Sequence, residues 1–366
     1  MTDLHSFSAP ARRSEPDTPA GTELPSIAAQ PVLARLARFG AAPAALTQAL
    51  REACVRLMDS DMIISQSPRA LDAPTLDDGP TTPLQHDETA LAEAVLERIP
   101  HEGLGPHLRP LMRTFIRMMF ALFFNPQQRA RACAELDAGA QFAFLMSDAG
   151  GPTLSSWRSI ARGEPEQRIR LAVDKVWGIE AHRDAIGVVA ARLHGAMVPA
   201  AYLVWPEAYR TLRRTPCGDP FLGGTLQLAN VQGEVTVSAE DRLRIGGPVV
   251  FNKHLTLVRP FFVRSLMAHL EWLRAHGRVR LDAGEQVSLA YIAEAAHEQS
   301  RSRAYSFGAV QRVMALKFAA NELLSGLVRR GAVRDFADQR DLLAFSKMEG
   351  SSYRCLHELR AGMRTG

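Results

Sequence analysis

Apolar and polar positions along this chain follow first a helical period, then a strand period, then a helical one again. From near Pro31, Leu33, Leu36 and Ala37, then Leu46, Leu50 and Cys54, recur at three- and four-residue spacing. Ser65 to Thr82 holds Pro68, Pro74, Gly79 and Pro80, with Pro83 next, and reads as an inserted loop. Asp87 is a candidate N-cap for a helix from Glu88 to Arg98 that Pro100 ends. A helix from about Pro106 to Phe123 follows; it starts amphipathic and turns almost wholly apolar at Met118 to Phe124, which predicts burial on every side. Asn125 then caps a helix with Pro126 at its first position, ending at Asp137-Ala138-Gly139.

After Gly139 the period becomes two. Phe142 to Met146 reads as an apolar strand, and Ile169, Leu171 and Val173 alternate with more polar neighbours as a half-buried one. Ala185 to Leu193, Val198 to Trp205, Thr225 to Val231 and Gly233 to Ser238 are further strands, with Gln232-Gly233 as a hairpin turn between the last two. From Val249 the helical period returns. Val249 to His276, with Pro260 inside and Gly277 closing it, precedes Val287 to Arg301, Val310 to Arg329 and a last segment from Asp338 to Met363. In the third of these, Val310, Val313, Met314, Phe318, Leu324, Leu327 and Val328 make one apolar face. The predicted class is α+β. A leader at 1–30, rich in Pro, Ser, Thr, Ala and Glu and expected to be disordered, precedes an N-terminal helical domain at 31–139. A small antiparallel β domain occupies 140–246 and a C-terminal helical bundle 247–366.

Composition narrows the class of function. The 366 residues suffice for about two to three domains and a large core. A net charge of +4, spread over 43 basic and 39 acidic residues with no basic stripe, gives nucleic-acid binding no support. The four cysteines, Cys54, Cys133, Cys217 and Cys355, lie far apart, so reduced thiols are expected rather than a metal site or a disulfide framework. The longest apolar run, Phe115 to Phe124, is too short to span a bilayer. With Asp3 near the start and no apolar run beside it, a signal peptide is not expected, and the cytosol is the expected compartment.

One stretch carries candidate chemistry. The strand Phe142 to Met146 breaks at Ser147-Asp148-Ala149-Gly150-Gly151-Pro152, and the chain returns as Val173-Asp174-Lys175-Val176-Trp177. Small residues let backbone N–H groups approach a flat or anionic ligand, and a returning tryptophan could cover it. The plain alternative is an ordinary Gly-Pro turn in a sheet.

The order of elements and several short motifs resemble the acyl-CoA dehydrogenase family over about residues 105–366. Phe142 to Gly151 sits where the family has a strand ending in Thr-Glu-Pro-x-x-Gly-Ser. Asp174-Lys175-Val176-Trp177-Gly178-Ile179 resembles Gly-x-Lys-x-Trp-Ile-Thr-Asn, and Asp184-Ala185 to Ala191-Arg192 resembles the turn and strand after it. Leu257-Val258-Arg259-Pro260 resembles the start of the first C-terminal helix, and Lys347-Met348-Glu349-Gly350-Ser351 the Tyr-Glu-Gly-Thr that bears the catalytic base in many members. The resemblance implies FAD as cofactor and desaturation of an acyl thioester on coenzyme A or an acyl-carrier protein. An electron-acceptor protein or oxygen would complete the cycle, and the assembly would be a homodimer or homotetramer. Glu349 would be the base and Arg259 would organise its pocket. Ser147, Ala149, Gly150, Gly151, Trp177, Ile179, Gly350 and Ser351 would line cofactor or substrate, and no metal is implied. Without the resemblance, Glu349 is a helix-surface residue, Trp177 a core aromatic and Arg259 a surface cation.

The chain departs from the family at this turn. Leu145, Met146 and Ser147 stand in place of Thr-Glu-Pro, Gly151 in place of Ser, and Ile179 in place of a Thr whose hydroxyl bonds the flavin. The diphosphate-binding Arg-x-x-Phe-Gly has only Arg303 to Gly308 as a counterpart, one residue out of spacing. Two other readings therefore stay open: a flavin-less homologue that binds acyl groups or assists assembly, and a flavin-dependent monooxygenase.

Overall fold

The computed structural model describes residues 83–352, 355–356 and 359, apart from 152–153, 164–167, 195–198, 244–246 and 303–305. The predicted leader, the helical pattern from Pro31 and the loop to Thr82 lie outside the described residues.

Helix α1 (Pro83–Glu102) is followed by α2 (Gly105–Phe123) and α3 (Pro126–Asp137). Strands β1 (Gln141–Leu145), β2 (Ile160–Arg162), β3 (Ile169–Ile179), β4 (Ala185–Leu193) and β5 (Pro199–Val204) come next. The short helix α4 (Pro206–Tyr209) leads into β6 (Arg213–Phe221) and β7 (Leu226–Val237). Helices α5 (Gly247–Ala275), α6 (Ala283–Arg301), α7 (Phe307–Arg329) and α8 (Phe336–Phe345) follow.

The helix starts follow local chemistry. Asn125 caps α3, its side chain accepting from the Gln128 N–H while Gln128 reaches back to the Asn125 N–H. Asp282 and Glu285 form the same reciprocal pair at α6, which begins four residues before the position that periodicity predicts. Pro100 does not end α1; it lies inside the last turn, and Gly103 closes the helix with φ 77°.

The seven strands make one sheet in the order β1-β4-β2-β3-β7-β6, with β5 paired to β4. The sheet is mixed rather than purely antiparallel, because β1 and β2 both run parallel to β4. Gln232-Gly233 is not a hairpin turn: 226–237 is a single strand, with Gly233 opposite Val173. Gly233 has φ 139° and its hydrogen face meets Leu212, so a glycine placed for backbone reasons imitates a turn signal. Strand β6, which the periodicity does not reveal, carries Pro216, Gly218 and Pro220. It lies at a sheet edge, where a missing N–H costs no ladder bond.

Strands β4 and β5 are buried on both faces. Val189 and Ala191 point into one core with Leu171, Val173, Tyr202 and Val231. Ile186, Val188 and Ala190 point into another with Met119, Phe120, Phe142 and Trp205. That second core explains the apolar end of α2, whose first half (Leu108, Leu111, Phe115) belongs to the helical core with Phe262, Leu266, Leu289, Leu324 and Phe345. One helix thus joins both cores, though Met118, Ala121 and Leu122 stay half-buried, so the run is not buried on every side. Central in the helical core is α5, which buries Val258, Phe261, Phe262, Val263, Leu266, Leu270 and Leu273. Among the described residues, no helix is long and apolar enough to cross a membrane.

Candidate functional site

The turn after β1 is built on a buried ion pair. Asp148 and Lys175 have fully buried side chains, with Nζ 3.2 Å from Oδ2. The Asp148 carboxylate also accepts from three backbone N–H groups, those of Gly150 (2.9 Å), Arg158 (2.8 Å) and Ser159 (3.0 Å). Burial pushes this carboxyl up, but the hydrogen bonds at Arg158 and Ser159, the Lys175 charge and the Gly150 N–H outweigh it and hold it below the ordinary aspartate value. Burial pushes Lys175 down to about 8 against the attraction of Asp148. The Lys175 ammonium also donates to the Met146 carbonyl at 3.2 Å and lies 4.3 Å from the centre of the Trp157 ring.

That pair fastens the turn to β3. The Val176 N–H donates to the Ser147 carbonyl and the Ala149 N–H to the Asp174 carbonyl, both at 3.0 Å. Ser147, Ala149, Gly150 and Gly151 are therefore brought beside the segment that carries Trp177. Gly150 is obligatory, since a Cβ there would stand 1.8 Å from the Ser156 carbonyl oxygen.

Trp177 is not a core aromatic. It sits at an irregularity between Lys175 and Gly178, with φ 59°, and the residue stands 66% exposed. A bulky residue in the left-handed region is costly, and a large aromatic turned to solvent gains nothing from burial, so its stability argument is missing from the fold alone. Gly178 makes the bulge possible: a Cβ there would lie 2.7 Å from both Ala181 Cβ and Leu145 Cδ2. Leu145 thus points into the core, and Ile179 packs against the helical core. Neither supplies a polar contact.

A second cluster lies where α5, α7 and the chain after α8 meet. Glu349 and Gly350 are consecutive left-handed residues, φ 57° and 122°. Arg259, 6% exposed and so no surface cation, donates from Nε to the Glu349 carbonyl at 2.6 Å and from Nη1 to Met314 Sδ at 3.0 Å. It holds the backbone of Glu349 rather than its carboxylate. Glu349 is not on a helix surface either; it is half-buried, with its carboxyl set among protein groups. Burial raises this carboxyl above the ordinary glutamate value, and the charges of Arg259 and Lys317 partly oppose it. A Cβ on Gly350 would stand 3.4 Å from Cys355 Sγ and 3.6 Å from Arg259 Nη2. Ser351 accepts at its carbonyl from the Cys355 N–H at 2.9 Å.

Two members of this cluster escape the sequence reading. Lys317 and Asn321 lie on the buried face of α7 with Val313, Met314, Ala320, Leu324 and Leu327. Polar residues at i and i+4 inside an apolar stripe are the signal that identifies them. Asp148 likewise anchors the turn rather than lining it. The Arg303 to Gly308 stretch lies partly outside the described residues.

No protein-family profile matches the chain, and no curated protein sequence does. Solved structures do match. FkbI, for biosynthesis of the methoxymalonyl extender unit of the polyketide Fk520, superposes with a TM-score of 0.59 at 17% identity, covering 77% of this chain and 85% of its own. Nitroalkane oxidase of Podospora anserina gives a TM-score of 0.58 at 13% identity over 92% of each chain. Butyryl-CoA dehydrogenase of Megasphaera elsdenii gives 0.55 at 12% identity, covering 77% of this chain and 98% of that one. On these superpositions this chain, with helices, a mixed sheet and helices in turn, has the acyl-CoA dehydrogenase-like fold.

Proposed function

We propose that this chain is an FAD-dependent oxidoreductase that desaturates an acyl thioester, carried on coenzyme A or an acyl-carrier protein, between its α- and β-carbons. The observation that carries the reading is Glu349, a half-buried carboxyl with a raised pKa, presented by a left-handed turn that Arg259 grips by its backbone. An α-proton beside a thioester is weakly acidic, so its removal needs a positioned base whose pKa is closer to neutrality than that of a solvated carboxylate. Glu349 takes that proton, and Arg259 keeps the turn and its charge in place.

The turn at Ser147 and the outward indole of Trp177 fit a flat ring system. The indole offers an uncovered face, and Gly150 and Gly151 permit close backbone approach. Trp177, Ser147 and the backbone of 149–151 would hold FAD there. When bound, FAD accepts the β-hydride, so the substrate loses one proton and one hydride and gains a C=C bond. Gly350 and Ser351 line the acyl side. The likeness to a protein of extender-unit biosynthesis supports a biosynthetic thioester, and FAD-bound relatives of this fold support the cofactor. An electron-acceptor protein or oxygen would be the final acceptor of the two electrons. The chain divides into units at 31–139, 140–246 and 247–366, and assembles as a homodimer or homotetramer.

The test is direct. Purified protein takes up FAD on titration and shows a flavin spectrum, and anaerobic addition of acyl thioesters bleaches it. Protein that takes up no FAD overturns the reading in favour of a flavin-less homologue. Bound FAD that no thioester bleaches, but that oxygenates substrate once reduced, overturns it in favour of a monooxygenase. A second check concerns Trp177. Trp177→Gly removes the aromatic face and relieves the φ of 59°, so FAD affinity should fall about 5- to 50-fold while stability in urea is unchanged or raised.

A further inference from the structure

Lys317 has a fully buried side chain on α7, among the largest fully buried side chains described. Its ammonium donates to the side-chain oxygen of Asn321 and, at 3.1 Å, to the carbonyl of Phe345, the last residue of α8. It lies 5.7 Å from the centre of the Phe262 ring. Asn321, also fully buried, donates from Nδ2 to the Gly350 carbonyl at 2.9 Å.

One polar pair on one helix therefore ties down both ends of the segment from Phe345 to Gly350, within which Glu349 stands. That segment needs tying. Two consecutive left-handed residues, one of them not glycine, persist only where their surroundings hold them. Arg259 grips the middle, at the Glu349 carbonyl. A core position could be filled by leucine or methionine without desolvating a cation, so packing alone does not account for a lysine here.

We propose that Lys317, braced by Asn321, is a positioning residue for Glu349: it fixes the turn and supplies the buried positive charge that keeps the carboxyl ionisable. This deepens the reading of Glu349 as the base and rests on it. The charged and titratable groups that face Lys317 are Arg259 from α5 and Lys347, Glu349 and Cys355 from the segment after α8. Glu349 and Cys355 favour its charged form, while Arg259 and Lys347 oppose it. Burial, the largest influence, brings Lys317 down to about 7, so its charge changes in the range where the base must work. The two groups then titrate as a coupled pair.

The experiment uses the full chain without flavin, so that it does not depend on turnover. Infrared pH titration follows the carboxyl band that disappears in Glu349→Gln. Lys317→Met is expected to move its midpoint up by about one pH unit or more, because the opposing cation is gone. In the reciprocal measurement, 15N NMR follows the Lys317 ammonium in folded wild type and in Glu349→Gln, and the lysine midpoint should fall when the carboxylate is removed. Unmoved midpoints in both measurements overturn the proposal and leave Lys317 as a structural anchor. If Lys317→Met does not fold, the reciprocal titration decides alone, since it keeps the lysine. Failure of FAD uptake or bleaching, by contrast, overturns the proposed reaction and leaves these midpoints where they are.

Discussion

Glu349→Gln should retain FAD yet lose anaerobic bleaching by acyl thioester by about 10²- to 10⁴-fold, the usual contribution of a positioned general base. The amide has nearly the shape of the carboxyl but cannot take up the α-proton. The backbone of the turn should survive, because Arg259 and Asn321 bond the carbonyls of Glu349 and Gly350 and not the side chain. Stability gives an independent reading of the same group. The folded pKa of Glu349 is raised above 4.5, so between that value and its folded midpoint the native state binds more protons than the unfolded state. Its contribution is fully present below pH 4.5 and is lost as pH rises through the folded midpoint. Glutamine carries no such loss. Urea unfolding should therefore show Glu349→Gln gaining on wild type as pH rises from 4 to 8. Bleaching at the wild-type rate rules out Glu349 as the base, and parallel stability curves rule out its raised pKa.

Much of this architecture is legible without coordinates, for physical reasons that also mark where reading stops. The capped helix at Asn125 and the alternation of Ile169, Leu171 and Val173 are local signals, and they come out as drawn. Gly233 and Pro216 mislead because glycine and proline report a backbone angle or a missing N–H, not the element around them. The parallel pairing of β1 with β4 depends on contacts 44 residues apart and has no local trace. At the site, the Ser147 turn and Trp177 are legible as motifs, but β1 and β3 are not adjacent in the sheet, and what joins them is the isolated antiparallel bridge between Asp148 and Lys175. That Trp177 faces outward depends on one bulge next to Gly178. The same limit applies to Lys317 and Asn321: their spacing is in the sequence, but the carbonyls they meet belong to a different segment.

The ion pair under the turn should dominate the stability of the turn after β1 and its attachment to β3. Asp148→Ala leaves the Lys175 ammonium buried without its carboxylate and leaves the N–H groups of Gly150, Arg158 and Ser159 without their acceptor. Breaking one partner of a buried pair costs about 3–5 kcal/mol, and the orphaned donors place this case at the upper end. Lys175→Met should cost less, because Asp148 keeps its three N–H donors, and burial, no longer opposed by the lysine, should then push its carboxyl up. In wild type the Asp148 pKa is depressed, so its contribution is present above pH 3.8 and lost as pH falls through its lower folded value. Lys175→Met narrows the gap between that folded value and 3.8, so the variant should lose less stability than wild type as pH falls below about 4, with denaturant midpoints between pH 3 and 7 as the measurement. Asp148→Asn combined with Lys175→Met removes both charges while keeping an acceptor for the turn, and should be more stable than Asp148→Ala alone by about 1–3 kcal/mol. Should all three variants unfold at the same denaturant concentration, the pair is not what fastens the turn. FAD affinity should follow the turn rather than the charge: weakest in Asp148→Ala, and closer to wild type wherever residue 148 still accepts from Gly150.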